Sequence, residues 1–277
     1  MRVVIYSTIL PAVAGLDAVA RSCGLEPVAV ITPRPKHGDE ARVARASAIL
    51  TDAPLDLDVL YAHELASVAA LTRACAPDLG LCTGYPWKLS PEVLEIPPLG
   101  VVNGHPSLLP RHRGPYPLAW AIRAGDQEVG LTYHLMDAEY DTGPVLAQGS
   151  RPMPADTSLE GMVPTLQALS AELLSVALER LLRGERGEPQ TDVGATWAEP
   201  FGADYLELDP GRTAAELDRQ VRAWQWMFSA SPAGPLTTID GARRRVLATR
   251  LDDPDDPRAV RFEAADGPVW IVEHEPA

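Results

Sequence analysis

Three polar residues near the middle of the chain have side chains suited to acyl transfer. Asn103 and His105 lie two residues apart at the end of an apolar run, so in an extended strand both side chains leave the same face. Asp141 opens an Asp-Thr-Gly turn further along the chain. An amide can donate to a developing oxyanion, an imidazole can hold a proton, and a carboxylate can orient the imidazole. We therefore expect the three side chains to converge in one crevice.

The residue types alone leave two other interpretations open. An Asn-x-His pair at the end of a strand can also be a hydrogen-bonded loop anchor without a catalytic role. A metal site would need further ligands near His105, and only His112 and His134 are close in sequence. His112 lies between two arginines, which predicts a solvated loop residue, whereas His134 alternates with apolar residues and is predicted to support Asp141 from a strand. We predict no metal site.

The elements that would position these residues alternate between strands and helices. Strands are predicted at Arg2–Ile5, Pro27–Thr32, Asp58–Tyr61, Asp78–Cys82, Gly100–His105, Val129–Met136 and Val145–Ser150, and helices at Ala12–Cys23, Glu64–Ala76, Pro117–Ala124 and Ser158–Arg183. This order predicts an α/β fold with a Rossmann-like, mostly parallel sheet and helices on both faces. Ligands of such sheets bind beyond the carboxyl ends of the strands. The first turn, YSTILPAVAG, lacks the glycines of a dinucleotide site, so NAD is not expected.

Composition breaks divide the chain into three predicted parts. They are a catalytic domain over 1–184, a linker rich in Gly, Pro and Thr over 185–206, and a small C-terminal β-rich, OB-like module over 207–277. Thr157 with Glu160 predicts a capping box for the long helix of the first part. Pro164 inside that helix predicts a kink or a later start.

Charge and cysteine usage narrow the function classes. The net charge of −14, from 38 acidic and 24 basic residues, opposes capture of a nucleic-acid backbone. Three cysteines without a CxxC pair predict core thiols in a reducing cytoplasm rather than zinc ligands or disulfides. The N-terminus is predicted to be a strand, and we expect no stretch that approaches the ~20 apolar residues of a membrane helix. We therefore predict a cytoplasmic protein without a membrane partner.

Four ordered motifs surround the polar residues: NGHPSLLP at 103–110, Arg-Gly at 113–114, Gly-x-Thr-x-His-x-Met at 130–136 and Asp-Thr-Gly-Pro at 141–144. Together they resemble the formyltransferase family that uses 10-formyltetrahydrofolate. That family includes methionyl-tRNA, glycinamide ribonucleotide and sugar-nucleotide formyltransferases. The resemblance implies that Asn103, His105 and Asp141 are catalytic and that 10-formyltetrahydrofolate is the co-substrate.

The resemblance also implies where the folate binds. The segment GYPWKLSP at 84–91 resembles the loop whose backbone holds the pterin ring. The implied folate contacts are Tyr85, Trp87, Leu89, Asp137, Ala138, Glu139 and Asp141. For the acceptor we expect contacts from Thr8, Ser107 and Arg113.

The resemblance covers nearly the whole chain and leaves the acceptor open. The C-terminal module is shorter than that of the tRNA enzymes, and residues 207–277 carry nine bases against thirteen acids. The loop at 33–48 partly resembles their basic insertion but carries two acids. These departures favour a small amine, such as an amino-sugar nucleotide or a specialised-metabolite amine, and no nucleic-acid partner.

Three other functions are alternatives: formylation of methionyl-tRNA, hydrolysis of formyltetrahydrofolate by water, and a catalytically silent folate- or partner-binding role. Retention of Asn103, His105 and Asp141 argues against the silent role. The sequence leaves the oligomeric state open.

Overall fold

The computed structural model describes residues 1–34, 44, 56–227 and 234–277. Packing divides the chain into two compact units. The first comprises Met1–Arg113, Gly130–Arg151 and Val163–Ala195, and the second comprises Gly114–Val129, Pro152–Met162 and Thr196–Ala277. From residue 35 onward, nearly all of the loop compared with a basic insertion lies outside the described residues. The domain boundaries predicted at 184 and 206 stay predictions.

The first unit is organised around a β-sheet, which has seven strands among the described residues. The strands are β1 (Arg2–Tyr6), β2 (Glu26–Pro33), β3 (Asp58–Ala62), β4 (Leu79–Cys82), β5 (Val101–His105), β6 (Glu128–Leu135) and β7 (Val145–Pro152). Their order is β3-β2-β1-β4-β5-β6-β7. The first five pair in parallel, and β6 runs antiparallel to β5. The predicted mostly parallel α/β sheet is confirmed.

Helices cover both faces of this sheet, as predicted. The described helices up to residue 182 are α1 (Leu10–Ser22), α2 (Leu65–Cys75), α3 (Pro91–Leu94), α4 (Pro117–Ala124), which belongs to the second unit, and α5 (Leu159–Leu182). Side chains of a strand alternate between faces, so Val3 and Ile5 of β1 enter one core with residues of α1 and α5. Val4 and Tyr6 enter the other core with residues of α2 and α3.

The long helix α5 begins at Leu159, two residues after its predicted cap and five before its proline. Ser158 Oγ accepts from the backbone N–H of Gly161 at 3.3 Å, while Asp156 Oδ1 accepts from the N–H of Ser158 at 2.9 Å. Thr157 is therefore not the cap. Pro164 lies inside the helix. Near the start of a helix a proline removes a single backbone hydrogen bond, which the packing of the remaining turns outweighs.

One further expectation about α5 is wrong. Over Glu160–Leu182 this helix is long and apolar enough to cross a membrane by length and composition alone, although no such stretch was expected. The fold also explains the apolar composition of α5, because many of its apolar residues pack into the core of the first unit. These are Leu169, Leu173, Leu174, Ala177, Leu178 and Leu181.

The second unit contains an antiparallel sheet, which confirms the predicted C-terminal β module. Its strands are β8 (Leu236–Ile239), β9 (Ala242–Arg250), β10 (Val260–Ala264) and β11 (Gly267–Pro276), in the order β10-β11-β9-β8. Helix α6 (Ala214–Trp224) packs Leu217 and Val221 into the core of this sheet. Asp240 and Gly241 both have positive φ, the conformation of the tight hairpin turn that their dipeptide predicts.

Candidate active site

Strand register alone brings an amide and two imidazoles together. Asn103 and His105 lie two residues apart on β5, so their side chains share a face. In the antiparallel pairing with β6, Asn103 lies opposite His134 and His105 lies opposite Thr132. Directly opposite residues of such a pair lie side by side on one face of the sheet.

Asp141 returns to this cluster from the turn that follows β6. Its Oδ1 lies 3.3 Å from Asn103 Nδ2 and 3.5 Å from His105 Nδ1. The same oxygen lies 3.5 Å from Nε2 of His134. The three polar side chains therefore lie together as expected, with His134 beside them, and their catalytic and supporting roles stay predictions.

The protonation of His105 follows from its hydrogen bonds. Its Nε2 lies 2.8 Å from the carbonyl oxygen of His112, which can only accept, so Nε2 carries a proton. Nδ1 then faces Asp141. Burial lowers the pKa of His105 below its ordinary value, because the side chain is only 6% exposed, and the Asp141 carboxylate opposes that effect. At neutral pH the imidazole is therefore neutral, with its basic nitrogen toward Asp141.

This environment predicts the titration of His105. By NMR we expect a pKa below the ordinary 6.5, and a still lower pKa in the Asp141→Asn variant, because that variant removes the charge that favours the imidazolium. A His105→Gln variant identifies the resonance. A pKa above 6.5 in the wild type, or a pKa that rises in Asp141→Asn, would contradict the assigned environment.

His134 fixes the orientation of the Asn103 amide. Its Nδ1 donates to the carbonyl oxygen of Leu135 at 3.0 Å, which leaves Nε2 to accept from Asn103 Nδ2 at 3.2 Å. The amide nitrogen of Asn103 is thus turned toward the cluster.

The prediction of a solvated His112 is wrong. This residue is 5% exposed and has a φ of 57°. The reason is its backbone: the left-handed conformation is part of the loop geometry that directs its carbonyl oxygen at His105 Nε2. Among the described residues, no group of three or more His, Cys, Asp or Glu side chains could hold a metal ion.

The first predicted folate segment is a packed aromatic loop. The Tyr85 ring contacts those of Tyr6 and Trp87 edge to face, with centroids 5.8 and 6.1 Å apart. Leu89 is 1% exposed, so its side chain belongs to the core and leaves only backbone for a ligand. Tyr85 Oη is buried and has no hydrogen-bond partner among the described residues. Burial raises the pKa of this phenol, which keeps it protonated and able to donate.

The second predicted folate segment is the exposed turn that ends at Asp141. Asp137 Oδ1 accepts from the Glu139 N–H at 3.1 Å and from Thr142 Oγ1 at 2.7 Å, which shapes the turn. Lys88 Nζ lies 3.6 Å from a carboxylate oxygen of Glu139. The aromatic loop and this turn are therefore neighbours, as a shared ligand requires. The folate roles of Tyr85, Trp87, Leu89, Asp137, Ala138, Glu139 and Asp141 stay predictions.

The three predicted acceptor contacts all have partners within the protein. Thr8 Oγ1 donates to the Gly84 carbonyl oxygen at 2.9 Å. Ser107 Oγ donates to the Arg111 carbonyl oxygen at 2.7 Å. Arg113 is 4% exposed, and its guanidinium donates hydrogen bonds to the side chains of Asp192 and Gln190 in the first unit. Their roles in acceptor binding stay predictions.

Sequence reasoning missed one residue that contacts the site. Gln190 lies in the segment predicted as a linker, yet its Nε2 donates to the carbonyl oxygens of Asp141 and Gly143 at 2.9 and 2.8 Å. Residues up to Ala195 belong to the first unit. The Gly- and Pro-rich composition of the segment hides this contact.

Comparison with known proteins gives consistent matches. A family model described as formyl transferase matches residues 2–178. A methionyl-tRNA formyltransferase of Roseiflexus sp. (strain RS-1) is 33% identical over 277 residues, covering 97% of this chain and 83% of that protein. The methionyl-tRNA formyltransferase of Halorhodospira halophila (strain DSM 244 / SL1) is 38% identical over 259 residues, covering 90% and 79%.

Two solved structures share the fold. HypX from Aquifex aeolicus, in complex with tetrahydrofolic acid, has a TM-score of 0.67 and 19% identity over 99% of this chain and 44% of its own. WlaRD, a sugar 3N-formyltransferase, has a TM-score of 0.64 and 13% identity over 99% of this chain and 97% of its own. The chain thus spans less than half of HypX, and the likeness at these identities is one of fold.

Proposed function

Because this chain belongs to the formyl transferase family, we propose that it transfers the formyl group of 10-formyltetrahydrofolate to the amine of methionyl-tRNA. The family match at 2–178 includes Asn103, His105 and Asp141, which we propose as the catalytic residues. One observation carries the chemistry: the amide and the imidazole meet at a single carboxylate oxygen, 3.3 and 3.5 Å away.

The attack of an amine on a formyl carbon places negative charge on the formyl oxygen and releases a proton. Asn103 Nδ2 has two hydrogens, one directed at His134 and one near Asp141, and we assign the second to the formyl oxygen. His105 takes up the proton at Nδ1, because its Nε2 is committed to the His112 carbonyl. Asp141, 3.5 Å from Nδ1, stabilises the imidazolium that results. The imidazolium then returns the proton to the folate nitrogen as the bond between that nitrogen and the formyl carbon breaks, which restores neutral His105 and leaves tetrahydrofolate.

The aromatic loop and the turn before Asp141 fit a folate. When bound, the folate supplies the formyl carbon. The hydroxyl of Tyr85, buried without a partner among the described residues, is a donor suited to a polar ring. The rim of the turn at Asp137–Glu139 is exposed. These two segments would hold the folate ring between the packed aromatic side chains of the loop and the exposed polar residues of the turn.

For the acceptor, the relatives favour the alternative over the small amine preferred from the sequence. Both methionyl-tRNA formyltransferases match 90% or more of this chain, so the similarity continues into the C-terminal unit. Residues 196–277 of that unit lie beyond the family model, which ends at residue 178. Similarity there supports the acceptor as well as the formyl chemistry.

Charge in the C-terminal unit keeps a compact amine as the second candidate. Residues 207–277 hold nine arginines and thirteen acids. Six of those arginines form ion pairs with carboxylates of the same unit, namely Arg222, Arg243, Arg245, Arg250, Arg258 and Arg261. Arginines paired in this way offer less charge to a phosphate backbone.

A two-arm assay tests the acceptor. The protein is given labelled 10-formyltetrahydrofolate with methionine-charged initiator tRNA in one arm and with a panel of amino-sugar nucleotides in the other. We expect label on methionine in the first arm, and a rate of labelling about 10²–10³-fold lower with the His105→Ala variant. A formyl group gained only by a small amine, read by mass spectrometry, would overturn the tRNA assignment. Release of formate alone in both arms would overturn transfer itself.

A further inference from the structure

The chain after α5 returns to the turn that carries Asp141. Glu188 and Val145 form an antiparallel pair in which each backbone N–H donates to the other carbonyl, at 2.8 and 2.9 Å. Two residues further in this antiparallel register, Gln190 comes to lie beside Gly143. Gly187 permits the close approach, because a Cβ there would lie 2.5 Å from the carbonyl oxygen of Val145.

Gln190 joins two points of the turn through one amide group. Nε2 donates one hydrogen to the Asp141 carbonyl oxygen at 2.9 Å and the other to that of Gly143 at 2.8 Å. Asp141 has a φ of 55°, in the left-handed region that a non-glycine residue keeps only where its surroundings hold it. The two hydrogen bonds from Gln190 Nε2 hold the backbone of the turn at and next to Asp141.

Arg113 sets the direction in which the Gln190 amide points. Its Nε and Nη2 donate to Gln190 Oε1 at 3.3 and 2.9 Å, and its Nη1 donates to Asp192 Oδ1 at 2.9 Å. A guanidinium only donates, so it selects the oxygen of the amide and turns the nitrogen toward the carbonyls of the turn. Arg113 is buried, which strengthens these bonds relative to exposed ones.

We propose that Arg113 and Gln190 are positioning residues for formyl transfer, which hold the Asp141 carboxylate against His105 Nδ1 through the backbone of the turn. The proposal rests on the catalytic role assigned to Asp141 above. It places Arg113 behind the site rather than at the acceptor. It also makes the segment predicted as a linker a part of the catalytic unit.

The test uses Gln190→Met, which keeps the size of the side chain and removes its hydrogen bonds. We expect kcat to fall by about ten- to a hundredfold with little change in KM for the folate, because a shift near 1 Å in a catalytic group costs about 10²-fold. The charges that face His105 come from Asp141, His134 and His112. Of these three charges only that of Asp141 raises the pKa of His105, so its withdrawal should lower that pKa, in the direction expected for Asp141→Asn.

Two further variants make the result specific. Arg113→Lys keeps the charge but loses the two hydrogen bonds to Gln190 Oε1. Its kcat and the pKa of its His105 should both fall, by less than in Gln190→Met. Gln220→Met is the matched control, because Gln220 Nε2 also bridges two backbone carbonyls, at 2.8 and 3.0 Å, in the second unit. It should lower thermal stability without moving kcat or the pKa of His105.

The proposal is overturned if Gln190→Met and Arg113→Lys behave like Gln220→Met, with an unchanged kcat and an unchanged titration of His105. The NMR titration needs no substrate. If the wild type transferred no formyl group, the proposed function would fail while a shifted pKa in Gln190→Met would still support the positioning of Asp141.

Discussion

Turnover should fall by about 10²–10³-fold when Asn103 or His105 is replaced by Ala or Asp141 by Asn. Loss of one oxyanion donor costs about 10²–10³-fold, and general acid–base catalysis contributes a similar or larger factor. The losses should not multiply, because all three groups act around the same carboxylate oxygen. Formyl transfer by each single variant and by the triple variant, in single-turnover assays, measures the effect.

The variants should keep their fold, since polar groups at the end of β5 contribute little to the apolar cores. Thermal unfolding and far-UV circular dichroism check this. His63→Ala serves as the matched control, because His63 is an exposed histidine in the same unit that takes no part in the cluster. A triple variant with wild-type turnover would show that the three residues are not the catalytic group.

Much of this site could be predicted because it depends on local periodicity. The two-residue spacing of Asn103 and His105 fixes a common face wherever β5 is extended, whatever the neighbouring strands are. The alternation around His134 similarly predicts a strand residue. A turn sequence at Asp141 predicts a change of direction that can return the chain to β5, and the resemblance to a known family adds that Asp141 acts with Asn103 and His105.

The contacts that could not be predicted depend on distant backbone. Gln190 meets Asp141 because Glu188 pairs with Val145. These two paired residues are far apart in sequence, with the whole of α5 between them. No pattern in the Gly- and Pro-rich segment specifies that register. The burial of His112 was missed for a related reason, since its flanking arginines predict exposure, whereas its carbonyl oxygen is the partner of His105.

The start of α5 shows a different limit of prediction from sequence. Three consecutive residues, Asp156, Thr157 and Ser158, can each cap a helix, and the capping-box spacing to Glu160 favours Thr157. The choice is made by contacts further along the chain. Within the second unit, Trp226 Nε1 donates to the Thr157 carbonyl oxygen at 2.8 Å, and Ser158 caps the helix.

Gly143→Ala should lower turnover by about 10²-fold, nearly as much as loss of Asp141 itself. A Cβ at this position would lie 1.8 Å from the carbonyl oxygen of Leu135, far inside any tolerated contact. The backbone of the turn must then move by about 1 Å or more, and a displacement of that size in a catalytic group costs about 10²-fold. Because Asp141 is two residues away, its carboxylate moves with the turn.

The matched control for this last prediction is Gly15→Ala, the same substitution at an exposed position of α1 where a Cβ meets nothing within 4 Å. Alanine is favoured over glycine in a helix interior by about 1 kcal/mol, so this variant should keep wild-type turnover and unfold at a slightly higher temperature. Formyl transfer and thermal unfolding are measured on both. A Gly143→Ala protein with wild-type turnover would mean that the turn can move without displacing the reacting groups, and would separate the position of Asp141 from catalysis.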